Sequence, residues 1–277
     1  MKKKIVQPII GYLLLLPFAI IFLIPFLWSI STALKPLDQV FIFPPKWIPE
    51  PVMWENFIKG WKAAPFGRFF LNTTIITTSA VLGTVLSSSI VAYGFARLES
   101  FDKNILFLLL LSTMMLPGQV TMIPVYILFK NLGWLNTFLP LIVPSWFGGG
   151  AFNIFLFRQF FLTIPKEFDD AAKVDGAGYF TIFWKIILPL SRPVLVTITI
   201  FSIIYHWNDF LGPLIYLDKI EKFTIAIGLR YFQDNYQATQ MNLMMAVSLI
   251  ALLPILILFL VAQKYFVKGI VLSGLKG

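Results

Sequence analysis

The chain has no cysteine and one histidine, His206, among 277 residues. The first absence excludes disulfides, thiolate nucleophiles and cysteine-based metal sites. A single imidazole excludes a histidine-rich metal centre as well. No catalytic set and no metal site is predicted. Charge is also scarce, at 13% of residues against about 25% in ordinary soluble domains. What replaces it is apolar: 58% of the chain is hydrophobic, more than a soluble fold of this size can cover with polar surface. Several runs reach the roughly 20 apolar residues of a helical membrane span. A β-barrel would instead show short alternating segments. The predicted class is therefore all-α, a polytopic membrane protein surrounded by lipid.

The net charge of +9 does not make this a nucleic-acid binder. Its Lys and Arg residues are scattered among connecting segments, with no basic stripe interleaved with aromatics. Basic residues at span ends are what headgroups and topology select.

Along the chain the apolar runs predict six spans. The first, about 9–33, follows the basic start MKKK and is interrupted by Pro17 and Pro25. A cleavable signal peptide would share the basic start and the small residues Ser31 and Ala33, but its apolar core would be shorter. A Pro-rich segment follows, with Pro44, Pro45, Pro49 and Pro51 breaking any helix. Its later part, MWENFIKGW, has the amphipathic, aromatic make-up of an interfacial segment. Span two, about 72–95, is loaded with Thr, Ser and Gly, which predicts burial within a bundle. Span three (about 105–116) runs into Pro117, Gly118 and Pro124, and is expected to kink or break there. Span four (about 138–157) carries Pro140, Pro144 and Gly148–Gly150, so a broken helix packed on protein or lining a cavity is expected. Spans five (about 194–214) and six (about 243–262) are separated by a polar loop. Domain boundaries are expected at 1–71 for the first span and the Pro-rich segment, 72–266 for a core, and 267–277 for a tail. With both termini inside, thirteen Lys and Arg are cytoplasmic and nine outside, the bias that orients helices.

One stretch breaks the apolar pattern. EFDDAAKVDGAG holds Glu167, Asp169, Asp170 and Asp175, four of only 13 acids. It reads as a short surface helix, about 165–178, with Thr163 as a cap and Pro165 in its first turn. The acids complement the helix dipole, and Asp175-Gly176 is a stop signal. Ala172 and Gly176, spaced i, i+4, are expected to share a smooth face. A calcium loop is excluded because the acids do not alternate before a glycine. On this physics alone, a solvated, ordinarily capped loop explains the residues better than a docking face does.

Asp170-Ala171-Ala172, then Gly176, then Ile186-Ile187-Leu188-Pro189, resembles the EAA motif of ABC-importer permeases. AAKVDGAG through FWKIILPLSRP is similar to the carbohydrate-uptake branch, typified by the second permease of maltose-type importers. GRFFLNT, LPGQVTMIPVY, WNDFLGPL and the tail QKYFVKGIVLSGLKG match family segments too, so the similarity covers nearly the whole chain. The motif's leading acid is usually Glu and here is Asp170, with a shorter reach. The resemblance implies a type I ABC importer permease fold in the cell membrane. It implies that Glu167, Asp169, Asp170, Ala171, Ala172, Asp175, Gly176 and Ala177, with Leu188 and Pro189, form the region that couples to a cytoplasmic ATPase. The expected partners are a homologous second permease, two ATPase subunits and an extracytoplasmic solute-binding protein, which the loop 218–237 would probe. No GxxxxGK[ST] phosphate loop occurs in the chain, so ATP and Mg would be bound by the ATPase subunits and no cofactor by this chain.

For the solute, Asp209 is the one acid placed within a predicted span, in His206-Trp207-Asn208-Asp209-Phe210. Intramembrane ionisable groups point to function. A carboxylate and amide beside an indole suit a sugar. The cluster is also expected near the outer end of its span, where Trp belongs to the interface belt and Asp can cap a helix. Trp207, Asn208, Asp209 and Asn153 are the pathway candidates, although in this family the partner permease can make most sugar contacts. Spans almost free of Lys and Arg favour a neutral sugar over glycerol phosphate. A rival of another class is an ion-coupled secondary transporter or channel working through Asp209 and His206.

Overall fold

The architecture comes from a computed structural model describing residues 3–235 and 240–274. Parts of two predicted segments, Tyr236 and Gln237 of the loop after span five and Leu275–Gly277 of the tail, lie outside the described residues. So do Met1 and Lys2 at the basic start. Among the described residues the regular structure is helical throughout. Four helices are long and apolar enough to cross a membrane, and two bent pairs raise the count to six if each is one crossing.

The chain divides into two compact units, residues 1–67 with 228–254 and residues 68–227 with 255–277. In the first, α1 (Lys3–Ala33) supplies a 21-residue apolar span, Leu13–Ala33, with none of its apolar window buried in the protein. From Leu13 to Ile24 its large side chains are exposed. Helix ends leave carbonyls without partners. Here Asn56, on the short amphipathic α2 (Glu55–Ala63), donates from Nδ2 to Ala33 O at 2.9 Å and Lys35 O at 2.8 Å. Asn242 adds a bond to the same Lys35 carbonyl at 3.2 Å. Gly60 lets α2 approach the last long helix, α14 (Met241–Gly274): a Cβ there would lie 2.9 Å from Leu243 O.

The second unit is organised on α3 (Phe66–Arg97), longer at both ends than the sequence predicts. Half of its apolar window is buried, as its Thr, Ser and Gly content led one to expect. The reason is contact with a broken segment. α6 (Leu139–Ile142) and a 3-10 turn (Val143–Trp146) lead into Gly148, Gly149 and Gly150, all at positive φ, before α7 (Ala151–Thr163). A Cβ on Gly149 would sit 2.6 Å from Thr84 O, and one on Gly83 would sit 2.6 Å from the Trp146 ring. Ser87 Oγ bonds across to Ser145 O at 3.0 Å. The break in span four is thus held by close packing on α3.

Span three is also broken. α4 (Lys103–Ser112) with its terminal 3-10 turn meets α5 (Gly118–Asn131) at 98°. Pro117, which cannot continue a helix, stands at the corner. Span five differs from its predicted bounds. α9 (Tyr179–Ile182), a π turn at Phe183–Ile187 and α10 (Leu188–Leu190) together meet α11 (Arg192–Trp207) at 80°. α11 ends at Trp207, and a separate short helix, α12 (Leu211–Tyr216), follows. Asp209 is therefore in the gap between helices and not inside a continuous span. The loop beyond also holds a helix, α13 (Ile225–Asn235), that its polarity concealed.

Candidate functional site

The charged stretch forms α8 (Glu167–Val174). Two expectations about its start are corrected. Thr163 does not cap it; its hydroxyl turns back to Phe160 O at 2.7 Å. Pro165 precedes the helix, which begins after Lys166 with no side-chain cap. Glu167, Asp169 and Asp170 do occupy the first turn and Lys173 the last, the charge order a helix dipole favours. The end is a Schellman motif. Ala177 N donates to Ala172 O at 2.9 Å and Gly176 N to Lys173 O at 3.0 Å, with Gly176 at φ +81°.

That geometry replaces the expected smooth face. Ala172 is buried in a core with Phe161, Ile182, Ile187 and Tyr93. Gly176 has nothing within 4 Å of where a Cβ would be; its role is the left-handed turn, not close approach. Ala177 is half-buried against the same core. Asp175 is the exposed C-cap. Leu188 and Pro189 lie on the following helix, Leu188 against the core and Pro189 exposed. They are not on α8.

Adjacent acids point opposite ways. Asp169 is buried and its Oδ2 lies 3.2 Å from Arg97 Nε, with side chains only 9% and 4% exposed. Arg97 Nη2 also donates to Ile164 O at 2.7 Å. One guanidinium at the end of α3 thereby holds both the approach to α8 and its first turn. Burial pushes the Asp169 carboxyl above the usual carboxylate range, while Arg97 pulls it back. Asp170 faces outward, 3.5 Å from Lys173. Glu167, Ala171 and Val174 are exposed with it. Sequence reasoning missed Arg97, because nothing local to it signals a partner so distant in the chain.

The second feature is a cavity of about 880 Å³ in the second unit. α5 contributes Gln119, Thr121 and Met122; the broken span four contributes Ser145, Gly149 and Asn153; α11 contributes Tyr205 and His206. Asp209 and Tyr216 close the wall. Of the predicted pathway residues, Asn153 and Asp209 line this space. Asn153 Nδ2 bonds to Gly149 O at 2.7 Å, tying the glycine break to α7. Trp207 and Asn208 do not line it. Trp207 is buried edge-on against Phe70, ring centroids 5.3 Å apart. Asn208 folds back to Ile204 O at 2.8 Å. Tyr205 and His206 reach the wall from the last turn of α11 and Asp209 from the gap beyond it, while Trp207 and Asn208 turn elsewhere. Gln119, Tyr205 and Tyr216 were not singled out by sequence, since a wall gathered from distant segments has no local pattern.

An exposed helix tied to α3 and a polar, aromatic cavity between broken helices suit a transport subunit. The model of the binding-protein-dependent transport system inner membrane component family matches residues 79–271. The chain belongs to this family. As such it is a multi-pass membrane component of a binding-protein-dependent transport system, with an all-α permease fold. Among its relatives, the melibiose/raffinose/stachyose import permease protein MelC of Bacillus subtilis (strain 168) is 35% identical over 258 residues, 92% of this chain and 91% of that one. The sn-glycerol-3-phosphate transport system permease protein UgpE of Yersinia pestis bv. Antiqua (strain Antiqua) is 34% identical over 241 residues, 84% and 85% of the two. A bacterial ABC transporter involved in import of the acidic polysaccharide alginate contains a chain of the same fold. Its TM-score is 0.83 at 24% identity, over 96% of this chain and 98% of that one.

Proposed function

We propose that this family member is one permease half of an ATP-driven carbohydrate importer, with both termini cytoplasmic. It pairs with a homologous permease, receives solute from an extracytoplasmic binding protein, and takes its drive from two ATPase subunits that hold ATP and Mg. In this reading α8 is the coupling helix. Closure of the ATPase pair pushes on it, and the push switches the cavity between outward and inward access. In this reading the first span and its outer Pro-rich segment run through residue 71, a permease core through 72–266, and a cytoplasmic tail from 267.

The observation that carries the coupling role is the division of α8 into two sides. Asp169 and Ala172 are locked inward, whereas Asp170 and Val174 stand outward, Val174 at 88% exposure. The exposed side of α8 so presents acids together with small apolar side chains, Ala171 and Val174. Leu188 and Pro189 belong to the coupling region from outside α8, on the short helix Leu188–Leu190. The sugar reading rests on the cavity, whose volume lies within the range of small-molecule sites. Its amides, hydroxyls and aromatic rings suit a polyol.

The test replaces outward residues and leaves the inward ones untouched. Asp170→Arg with Val174→Asp is expected to keep membrane insertion and thermal stability while lowering co-purification of the ATPase and coupled uptake at least about tenfold. Unchanged recruitment and uptake would refute the docking face. Ion-gradient-driven uptake by this chain alone in liposomes would refute the ATP-driven reading itself and favour a secondary transporter.

A further inference from the structure

The charge of the cavity says more than its size does. Among the described residues Asp209 is the one acid lining it, and no lysine or arginine lines it. The carboxylate is fixed in place. Its Oδ1 accepts the Gly212 N–H at 3.1 Å. A Cβ on Gly212 would lie 2.6 Å from Oδ2 and 3.1 Å from a Leu141 methyl, so the absence of a side chain there is what lets the acid pack against backbone.

The surrounding wall is built for uncharged, hydroxylated solute. Tyr205 is 70% exposed and braced edge-on by His206, ring centroids 5.1 Å apart. Tyr216 is held from behind by Tyr126, stacked at 6.4 Å and 11°, and by Phe129 edge-on at 5.3 Å. Gln119 and Asn153 add amides, which donate and accept equally well. Rigid rings give flat apolar faces for the C–H side of a pyranose, and the amides and carboxylate take its hydroxyl protons.

We propose that this cavity takes neutral saccharides, and that Asp209 is the specificity residue that excludes anionic ones such as uronates and sugar phosphates. The proposal rests on the importer reading above and names the solute class within it. Low-dielectric walls strengthen the field of a single fixed charge, and a like-charged group set beside it is disfavoured several-fold to many-fold. Family relatives include, by name, permeases for neutral solutes such as raffinose and for an anionic one, glycerol 3-phosphate. Membership therefore leaves solute charge to the lining, and the lining here is negative.

The test uses the purified complex of this chain with its second permease and ATPase subunits. Equilibrium dialysis compares neutral trisaccharides, raffinose and maltotriose, with the size-matched anion trigalacturonate. The wild type is expected to bind the better neutral probe at least about tenfold more tightly. Asp209→Asn keeps an oxygen that can accept the Gly212 N–H, and it should narrow that ratio about tenfold. Gln119→Arg, which adds a cation to the same wall, should narrow it as well. Tyr205→Ala should weaken neutral binding without changing the penalty on the anion. Equal binding of both classes by the wild type, or an unchanged ratio in Asp209→Asn, overturns the charge filter. A separate measurement keeps the two readings apart. If loaded binding protein stimulates ATP hydrolysis by the wild-type complex while the Asp209→Asn ratio is unchanged, only the filter fails. If no saccharide stimulates hydrolysis, the importer reading fails and the filter with it.

Discussion

Replacing Arg97 with methionine removes one partner of a buried ion pair and leaves the other. At 3.2 Å and an effective dielectric of about 20, the attraction is about 5 kcal/mol. Desolvating two ions costs several kcal/mol each, so the intact pair adds little net stability over a well-packed apolar pair. Breaking it is another matter. With side chains only 4% and 9% exposed, water cannot take over for the lost partner, and one-sided loss costs about 3–5 kcal/mol. Arg97→Met also frees the Ile164 carbonyl from its 2.7 Å bond, for about another 1 kcal/mol. The loss should fall locally, on α8. Hydrogen exchange across residues 165–176 of the detergent-solubilised complex should accelerate by about two to three orders of magnitude. ATP hydrolysis should persist with less solute moved per ATP. The double variant Arg97→Met, Asp169→Leu should recover most of the protection, a non-additivity that a double-mutant cycle measures. If Arg97→Met exchanges like the wild type, or the two substitutions simply add, the pair does not hold α8.

Other expectations follow from single positions. Burial raises the Asp169 carboxyl, so between its ordinary value and the raised one the native state holds more protons than the unfolded chain. In that window Asp169 makes α8 more stable as pH falls, and Asp169→Asn should abolish this share of the pH dependence of exchange. Gly149→Ala places a Cβ 2.6 Å from Thr84 O at φ +61°. Left-handed strain and overpacking together should cost about 2–5 kcal/mol, read as a lowered melting temperature; an unchanged one would mean the break does not pack on α3. Gly176 has open space but φ +81°, so Gly176→Asn should be tolerated and Gly176→Val should cost about 1–2 kcal/mol. Equal effects of the two would indicate that a contact, not the turn, matters. Lys35 is fully buried with no hydrogen-bond partner for Nζ among the described residues, 3.9 Å above the Trp28 ring. Burial lowers its pKa, so the native state binds fewer protons than the unfolded chain as pH nears the ordinary lysine value, and stability should rise with pH there. Lys35→Met should be neutral or stabilising in thermal melts and should lose that slope; a large destabilisation would show that the ammonium has a partner.

Much of this protein was legible in order along the chain. Composition requires a lipid environment because apolar surface on this scale has no soluble solution. Span two's small and hydroxylated residues implied burial, and α3 is indeed packed along half its apolar window. Pro117 and Gly148–Gly150 marked the breaks that the backbone makes there. These are local properties, fixed by dihedral preferences and by which neighbours a residue has. The charge run EFDDAAKVDG likewise declared a short helix ended by glycine.

Direction in space was not legible. Asp169 and Asp170 are the same residue type, side by side, yet one is paired with Arg97 inside and the other faces out. Which is which depends on where α3 ends relative to α8. Ala172 was expected outward and is core, because the helix is rotated to bury it. Trp207 was expected near solute and packs on Phe70, while Tyr205, two residues earlier, faces the cavity. The sequence by itself determined that this is a membrane protein of broken helices with one charged surface helix, since local chemistry suffices for that. Only the tertiary structure decided which acids grip and which are offered, because orientation is set by partners far away in the chain.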